Sequence, residues 1–148
     1  MCSSDLVWLD TGLVDSRSSQ CEMLINSLSS PPTPDQLERL AGLYRDRFAL
    51  DFAYEEWASS YRDSQHAAYL HAVEEGIRLD AATGHFRRGV ALARGALAKD
   101  PAATELEEAL LRLYRLDGAH GAAAEQYGHY SQTLREELEV EPPPLESF

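Results

Sequence analysis

The side chains of this chain that could do chemistry are few, and their spacing does not assemble a reaction centre. Its five histidines, His66, His71, His85, His120 and His129, make no H-x-x-x-H or H-E-x-x-H set. Those are the spacings that would put two imidazoles on one helix face for a metal. His66 and His71 are five positions apart, so on a helix they point about 140° from each other. All five are expected at the surface or at helix ends, with no metal site and no catalytic set. Cys2 and Cys21 form no C-x-x-C pair and read as a terminal thiol and a helix-packing thiol. Gly84-His85-Phe86-Arg87-Arg88-Gly89 has the glycine spacing of a phosphate loop. It lacks the Lys-Ser/Thr that would follow and the strand that would precede, so no cofactor is expected there. Arg87, Arg88 and Arg94 read as a small basic cluster on a solvated helix face. Glu105, Glu107 and Glu108 fall in a first helical turn, where carboxylates stabilise the helix dipole by roughly 0.3–1 kcal/mol.

What remains is a set of aromatics and arginines suited to binding. Trp57 and Tyr61 share one helical face, and Tyr127 and Tyr130 share another. Arg62, Arg112 and Arg115 can stand beside them. Concave grooves of helical arrays use such residues as hot spots for a peptide or an acidic ligand. These seven are the expected partner-binding residues.

Charge narrows the partner. The 148 residues carry 25 acidic and 13 basic groups, a net charge of −12. Residues 1–50 hold 7 acidic and 4 basic groups, 51–100 hold 8 and 6, and 101–148 hold 10 and 3. Phosphate contacts dominate nucleic-acid affinity and leave a basic footprint. This chain repels DNA on average, so no direct nucleic-acid contact is expected. The N-terminus, Met1-Cys2-Ser3-Ser4-Asp5, has no basic head or apolar stretch of a secretory signal. No apolar run approaches the roughly 20 residues that span a bilayer. The expected compartment is the cytoplasm.

Helices must position these residues. A lead-in covers 1–15, with Leu6-Val7-Trp8-Leu9 as a short extended segment. A helix then begins at Asp15 or Ser16 and carries Cys21, Leu24, Ile25 and Leu28 at helical spacing. Ser29-Ser30-Pro31-Pro32 breaks it. Thr33 or Asp35 opens a second helix, with Pro34 suited to its first turn. Phe48, Leu50, Phe52 and Tyr54 form an aromatic link. Helices follow over about 55–82, 85–98, 104–116 and 119–139. The breaks between them are Thr83-Gly84, Asp100-Pro101 and Asp117-Gly118. Pro142-Pro143-Pro144 turns residues 141–148 into a polyproline-like tail. No segment after Glu55 alternates as a strand would.

The chain repeats itself. Thr83-Gly84 and Asp117-Gly118 are 34 residues apart, as are Arg78-Leu79 and Arg112-Leu113. That is the period of the tetratricopeptide repeat, a helix–turn–helix unit. The best copy, about 70–101, has Gly84 in the turn, Phe86 to fill the wedge, and Gly89 and Ala93 to allow close approach. Asp100-Pro101 closes it. A degenerate copy over about 104–140 has Tyr114, Gly118 and Ala123 in register, but Tyr130 where a small residue belongs, and a longer second helix. The expected architecture over 16–140 is all-α: an antiparallel helix-pair array, tetratricopeptide-like and wound as a right-handed superhelix.

Over roughly 13–145 the chain also resembles the bacterial transcriptional activator domain of Streptomyces antibiotic regulatory protein type regulators. The residues that carry the resemblance are Leu13-Val14-Asp15, Leu40 to Tyr44, Glu56-Trp57-Ala58 with Arg62, and Gly84 to Asp100-Pro101. Leu110-Leu111-Arg112-Leu113-Tyr114 with Gly118 follow, then Tyr127, Leu134 and Glu137-Leu138 to Val140-Glu141-Pro142. The resemblance implies a regulatory domain for oligomerisation and protein contacts, with DNA bound by a winged helix that these residues do not contain. The expected function is a non-catalytic interaction module of a bacterial transcription regulator, holding a protein partner or a second copy as a homodimer. The alternative is a ligand-sensing domain that takes a small effector or peptide in its groove.

Overall fold

The computed structural model describes residues 17–44 and 56–148. The lead-in with Leu6–Leu9 and the aromatic link from Phe48 to Tyr54 lie outside the described residues. Six α-helices follow in order: α1 (Arg17–Asn26), α2 (Pro34–Leu43), α3 (Glu56–Thr83), α4 (Phe86–Leu97), α5 (Thr104–Leu116) and α6 (His120–Glu137). Among the described residues there is no strand, so the fold is all-α as expected.

Local chemistry sets these boundaries. Thr33 caps α2: its hydroxyl accepts from the Gln36 amide, and Gln36 reaches back to the Thr33 N–H at 2.9 Å. Pro34 sits in the first turn, where no N–H is needed. α3 and α5 end in the same way, 34 residues apart. Gly84 has φ 77° and Gly118 has φ 72°, a left-handed conformation that a Cβ disfavours. Just beyond them, His85 N–H donates to the Asp80 carbonyl and Ala119 N–H to the Tyr114 carbonyl, both at 2.8 Å. Such closures satisfy the last carbonyls of a helix. The repeat therefore exists in the backbone as well as in the residue types.

Consecutive helices pack antiparallel, since contacts fall symmetrically about each turn. Asp80 meets Arg88 across Gly84, and Glu107 meets His129 across Gly118. A Cβ built on Gly89 would sit 3.1 Å from both Leu113 methyls and 3.3 Å from the Asp80 Cβ. That closeness locks α4 against α3 and α5. One core runs from Cys21, Leu24, Leu37 and Leu40 through Tyr69, Val73 and Ile77 to Ala93, Leu106, Leu110 and Leu113. A second, smaller cluster gathers Leu111, Tyr130 and Leu134 under the C-terminal residues. Cys21 is the expected packing thiol: it has no exposed surface, and burial pushes it up to about 11. At neutral pH it keeps its proton and is a poor nucleophile.

Two expectations about polar residues are overturned. His66 is a core residue, not a surface one. Its Nε2–H donates to Asp100 Oδ2 at 2.6 Å, and its Nδ1 meets the Tyr44 hydroxyl at 2.5 Å. Tyr44 in turn stacks on Tyr69 with ring centroids 4.1 Å apart. This line of groups joins the end of α2, the middle of α3 and the turn after α4. Arg88, read as a solubilising charge, instead donates through Nε to both oxygens of buried Asp80 at 2.9 and 3.1 Å. A bidentate guanidinium satisfies a carboxylate that would otherwise be costly to bury.

Candidate interaction groove

In a helix-pair array the first helices of successive units line the inner face, and here those are α3 and α5. Between them lies a cleft of about 290 Å³. Its floor is apolar, with Ile77, Ala81, Ala109 and Leu113, while Glu74, Arg78, Glu105, Glu108 and Arg112 stand along it. Helical periodicity produces this pattern, because positions three and four apart fall on one face. The rim carries both signs of charge, so it can pair with acidic and basic side chains of one ligand. Arg112 lies 3.6 Å from Glu108 one turn away, a surface pair of little energetic weight that a competing partner can displace.

The seven expected partner-binding residues are not brought together. Only Arg112 lines this groove. The side chain of Trp57 lies outside the described residues. Tyr61 donates to Glu22 Oε2 at 3.3 Å and so ties α3 to α1, and half-buried Arg62 stands one residue further along α3. The other three belong to the chain's own packing. Tyr130 is 2% exposed. Its hydroxyl donates to Glu108 Oε1 at 2.9 Å, and burial together with that carboxylate pushes the phenol up to about 12. It sits where the motif has a small residue because the C-terminal residues, not a further repeat, cover α6. Tyr127 donates to the Pro143 carbonyl at 2.9 Å, and Arg115 donates to the carbonyls of Leu145 and Phe148.

Two further clefts flank the groove. One of about 320 Å³ lies between α2, α3 and α4, lined by Pro32, Leu37, Ala41, Leu79 and Leu92, with the Asp80–Arg88 pair at its edge. The other, about 310 Å³, lies between α4 and α6 and includes Arg94, Glu107, Gln126 and His129. Glu107 departs from the expected helix-dipole role, being 2% exposed. His129 Nδ1 donates to its Oε1 at 2.8 Å, and Oε2 has no hydrogen-bond partner. The repeat contains the missed signal: Glu107 stands 34 residues after Val73, a core position.

The Tyr44–His66–Asp100 line resembles a catalytic relay in its order of groups, but Tyr44 is 1% exposed and its hydroxyl reaches no substrate. Among the described residues no three or more His, Cys, Asp or Glu side chains cluster as metal ligands. No described helix is long and apolar enough to cross a membrane. Fold and clefts together define a helical-repeat scaffold of the tetratricopeptide-like class. A model of the bacterial transcriptional activator domain matches residues 19–145, and the chain belongs to that family. No curated protein and no solved structure matches it.

Proposed function

We propose that this domain is a non-catalytic interaction module that holds a protein segment in the α3–α5 groove. It would act within a bacterial transcription regulator whose DNA contacts are made elsewhere. The observation that carries this reading is the groove itself, an apolar floor between charged rims on the inner face of the repeat. Apolar floors supply affinity and charged rims select the partner and its register. A net charge of −12 supports the division of labour, because it opposes approach to phosphates. The same reading places the domain in the cytoplasm, with the DNA.

Ala109 lies at the centre of the groove floor and is only partly buried. Ala109→Arg should fill the groove with a third arginine beside Arg78 and Arg112 while leaving α5 helical. In a regulator carrying the domain, transcription from its target promoter should fall at least tenfold, with the thermal midpoint of the domain unchanged. Full activity with the groove filled would remove the basis of the proposal.

A second reading, sensing of a small effector, is favoured by the α2–α3–α4 cleft, whose walls are apolar and whose edge carries one buried ion pair. An apolar molecule with a basic or hydrogen-bonding end fits that lining. Binding to the folded state alone raises the thermal midpoint by mass action, by an amount equivalent to about 2.7 kcal/mol at a hundredfold excess over Kd. A metabolite screen by thermal shift should then find a hit that Ala91→Trp, on the wall of the cleft, abolishes. A hit that survives Ala91→Trp would place the effector outside this cleft.

A further inference from the structure

The C-terminal residues are bound to the rest of the chain as a peptide is bound in a groove. Pro142 is buried and Pro144 has polyproline geometry, φ −63° and ψ 148°. The Tyr127 hydroxyl donates to the Pro143 carbonyl at 2.9 Å. The Arg115 guanidinium donates to the Leu145 carbonyl at 3.1 Å and to that of Phe148. Leu145 and Phe148 pack on Leu111, Tyr130 and Leu134, with Phe148 edge-on to Tyr130 at 5.6 Å between centroids. Backbone carbonyls read by donors, with two apolar side chains in pockets, is how extended proline-rich peptides are recognised.

The segment joining α6 to this peptide is under local strain. Glu139 has φ 53° and is the one non-glycine residue with positive φ among the described residues. The end of α6 thus uses the backbone conformation that glycine supplies at the ends of α3 and α5, with a side chain that opposes it. On either side, Leu138 and Val140 are 52% and 51% exposed. A strained short hinge next to a self-complementary docked segment is the condition under which identical elements exchange between chains.

We infer that the α5–α6 groove also accepts residues 142–148 of a second copy, and that the chain self-associates by exchanging these tails about Glu139. The docking contacts are the same in either arrangement, so they cancel in the comparison. Opening the hinge releases Glu139 from its left-handed conformation. Fully extended, the seven residues from Pro142 to Phe148 reach roughly 23–25 Å, enough to cross to a neighbouring copy. Leu138 and Val140 then meet their counterparts where the two chains cross, which covers apolar surface that the closed form leaves in water. This site is distinct from the α3–α5 groove, and either could fail without the other.

The test uses the full chain and sedimentation velocity over a concentration series. Glu139→Pro fixes φ near −65° and forbids the closed hinge, so it should tighten dimerisation by roughly tenfold or more, a change of about 1.4 kcal/mol. Glu139→Gly removes the strain of the closed form and should weaken dimerisation by a similar factor. Adding Leu145→Asp to Glu139→Pro should return the protein to monomer, because the exchanged tail can no longer dock. All variants should keep the helical content of the parent by circular dichroism. A monomeric Glu139→Pro chain would overturn the inference, and so would a dimer that survives Leu145→Asp. Ala109→Arg should leave the tail-exchange equilibrium untouched, which separates this site from the partner groove.

Discussion

Gly89→Val should unfold a large share of the molecule's stability reserve, by about 3 kcal/mol or more. The first added carbon would already press on two Leu113 methyls at 3.1 Å and the Asp80 Cβ at 3.3 Å. Two further methyls have nowhere to go unless α4 leaves α5, and overpacking of this kind costs typically 1–3 kcal/mol. The displacement also disturbs the Arg88–Asp80 pair one residue away, and parting a buried carboxylate from its partner costs several kcal/mol more. Urea unfolding followed by circular dichroism measures the loss. Gly89→Ala supplies the internal control. Its single methyl asks Leu113 to give by a few tenths of an ångström, while alanine gains about 1 kcal/mol of helix propensity, so the two effects nearly offset. A valine variant as stable as the parent would mean that α4 and α5 are not locked at this position.

His66→Ala should cost about 2–4 kcal/mol, the second of the two large effects. The imidazole is the middle member of the Tyr44–His66–Asp100 line, at 2.5 and 2.6 Å from its neighbours. Removing it takes a hydrogen bond from a buried phenol and another from a part-buried carboxylate, and leaves a cavity between α2, α3 and the turn after α4. Each buried group that loses a partner costs roughly 1–3 kcal/mol. The same urea titration reads this loss. A cost under about 0.5 kcal/mol, the range of an ordinary surface substitution, would show that His66 does not join the N-terminal helices to the repeat.

These two positions differ in how well the sequence foretells them. Gly89 is legible because the 34-residue register assigns it a place where helices approach, and the same register gives the two turn glycines and the Asp100-Pro101 stop. Helix starts are equally local, since Thr33, Pro34 and Gln36 cap α2 with chemistry contained in four residues. His66 is not legible in the same way. Its neighbours Tyr44 and Asp100 lie 22 and 34 positions away, and periodicity does not say which polar group a buried imidazole will find. Glu107 and Arg88 were hidden for a related reason. A charged residue in a first turn or on a helix face has an adequate local explanation, and only packing shows that one is buried and the other serves a buried partner. The partner-binding set fares worst: three of its seven residues, Arg115, Tyr127 and Tyr130, are taken up by the C-terminal tail. Proline-rich residues after the last helix read as an extension into solvent, whereas three of those residues supply the side chains or carbonyls that hold them against α5 and α6.

The central claim is that this bacterial transcriptional activator domain works by holding protein in the α3–α5 groove. Site-specific photo-crosslinking in bacterial cells tests it most directly, with a photoreactive residue placed at Ala109 on the groove floor or at exposed Arg39 on α2. The account predicts a discrete protein adduct from position 109, none from position 39, and loss of the adduct when Arg112 is changed to Glu. No adduct at position 109, or the same adduct from both positions, would contradict it.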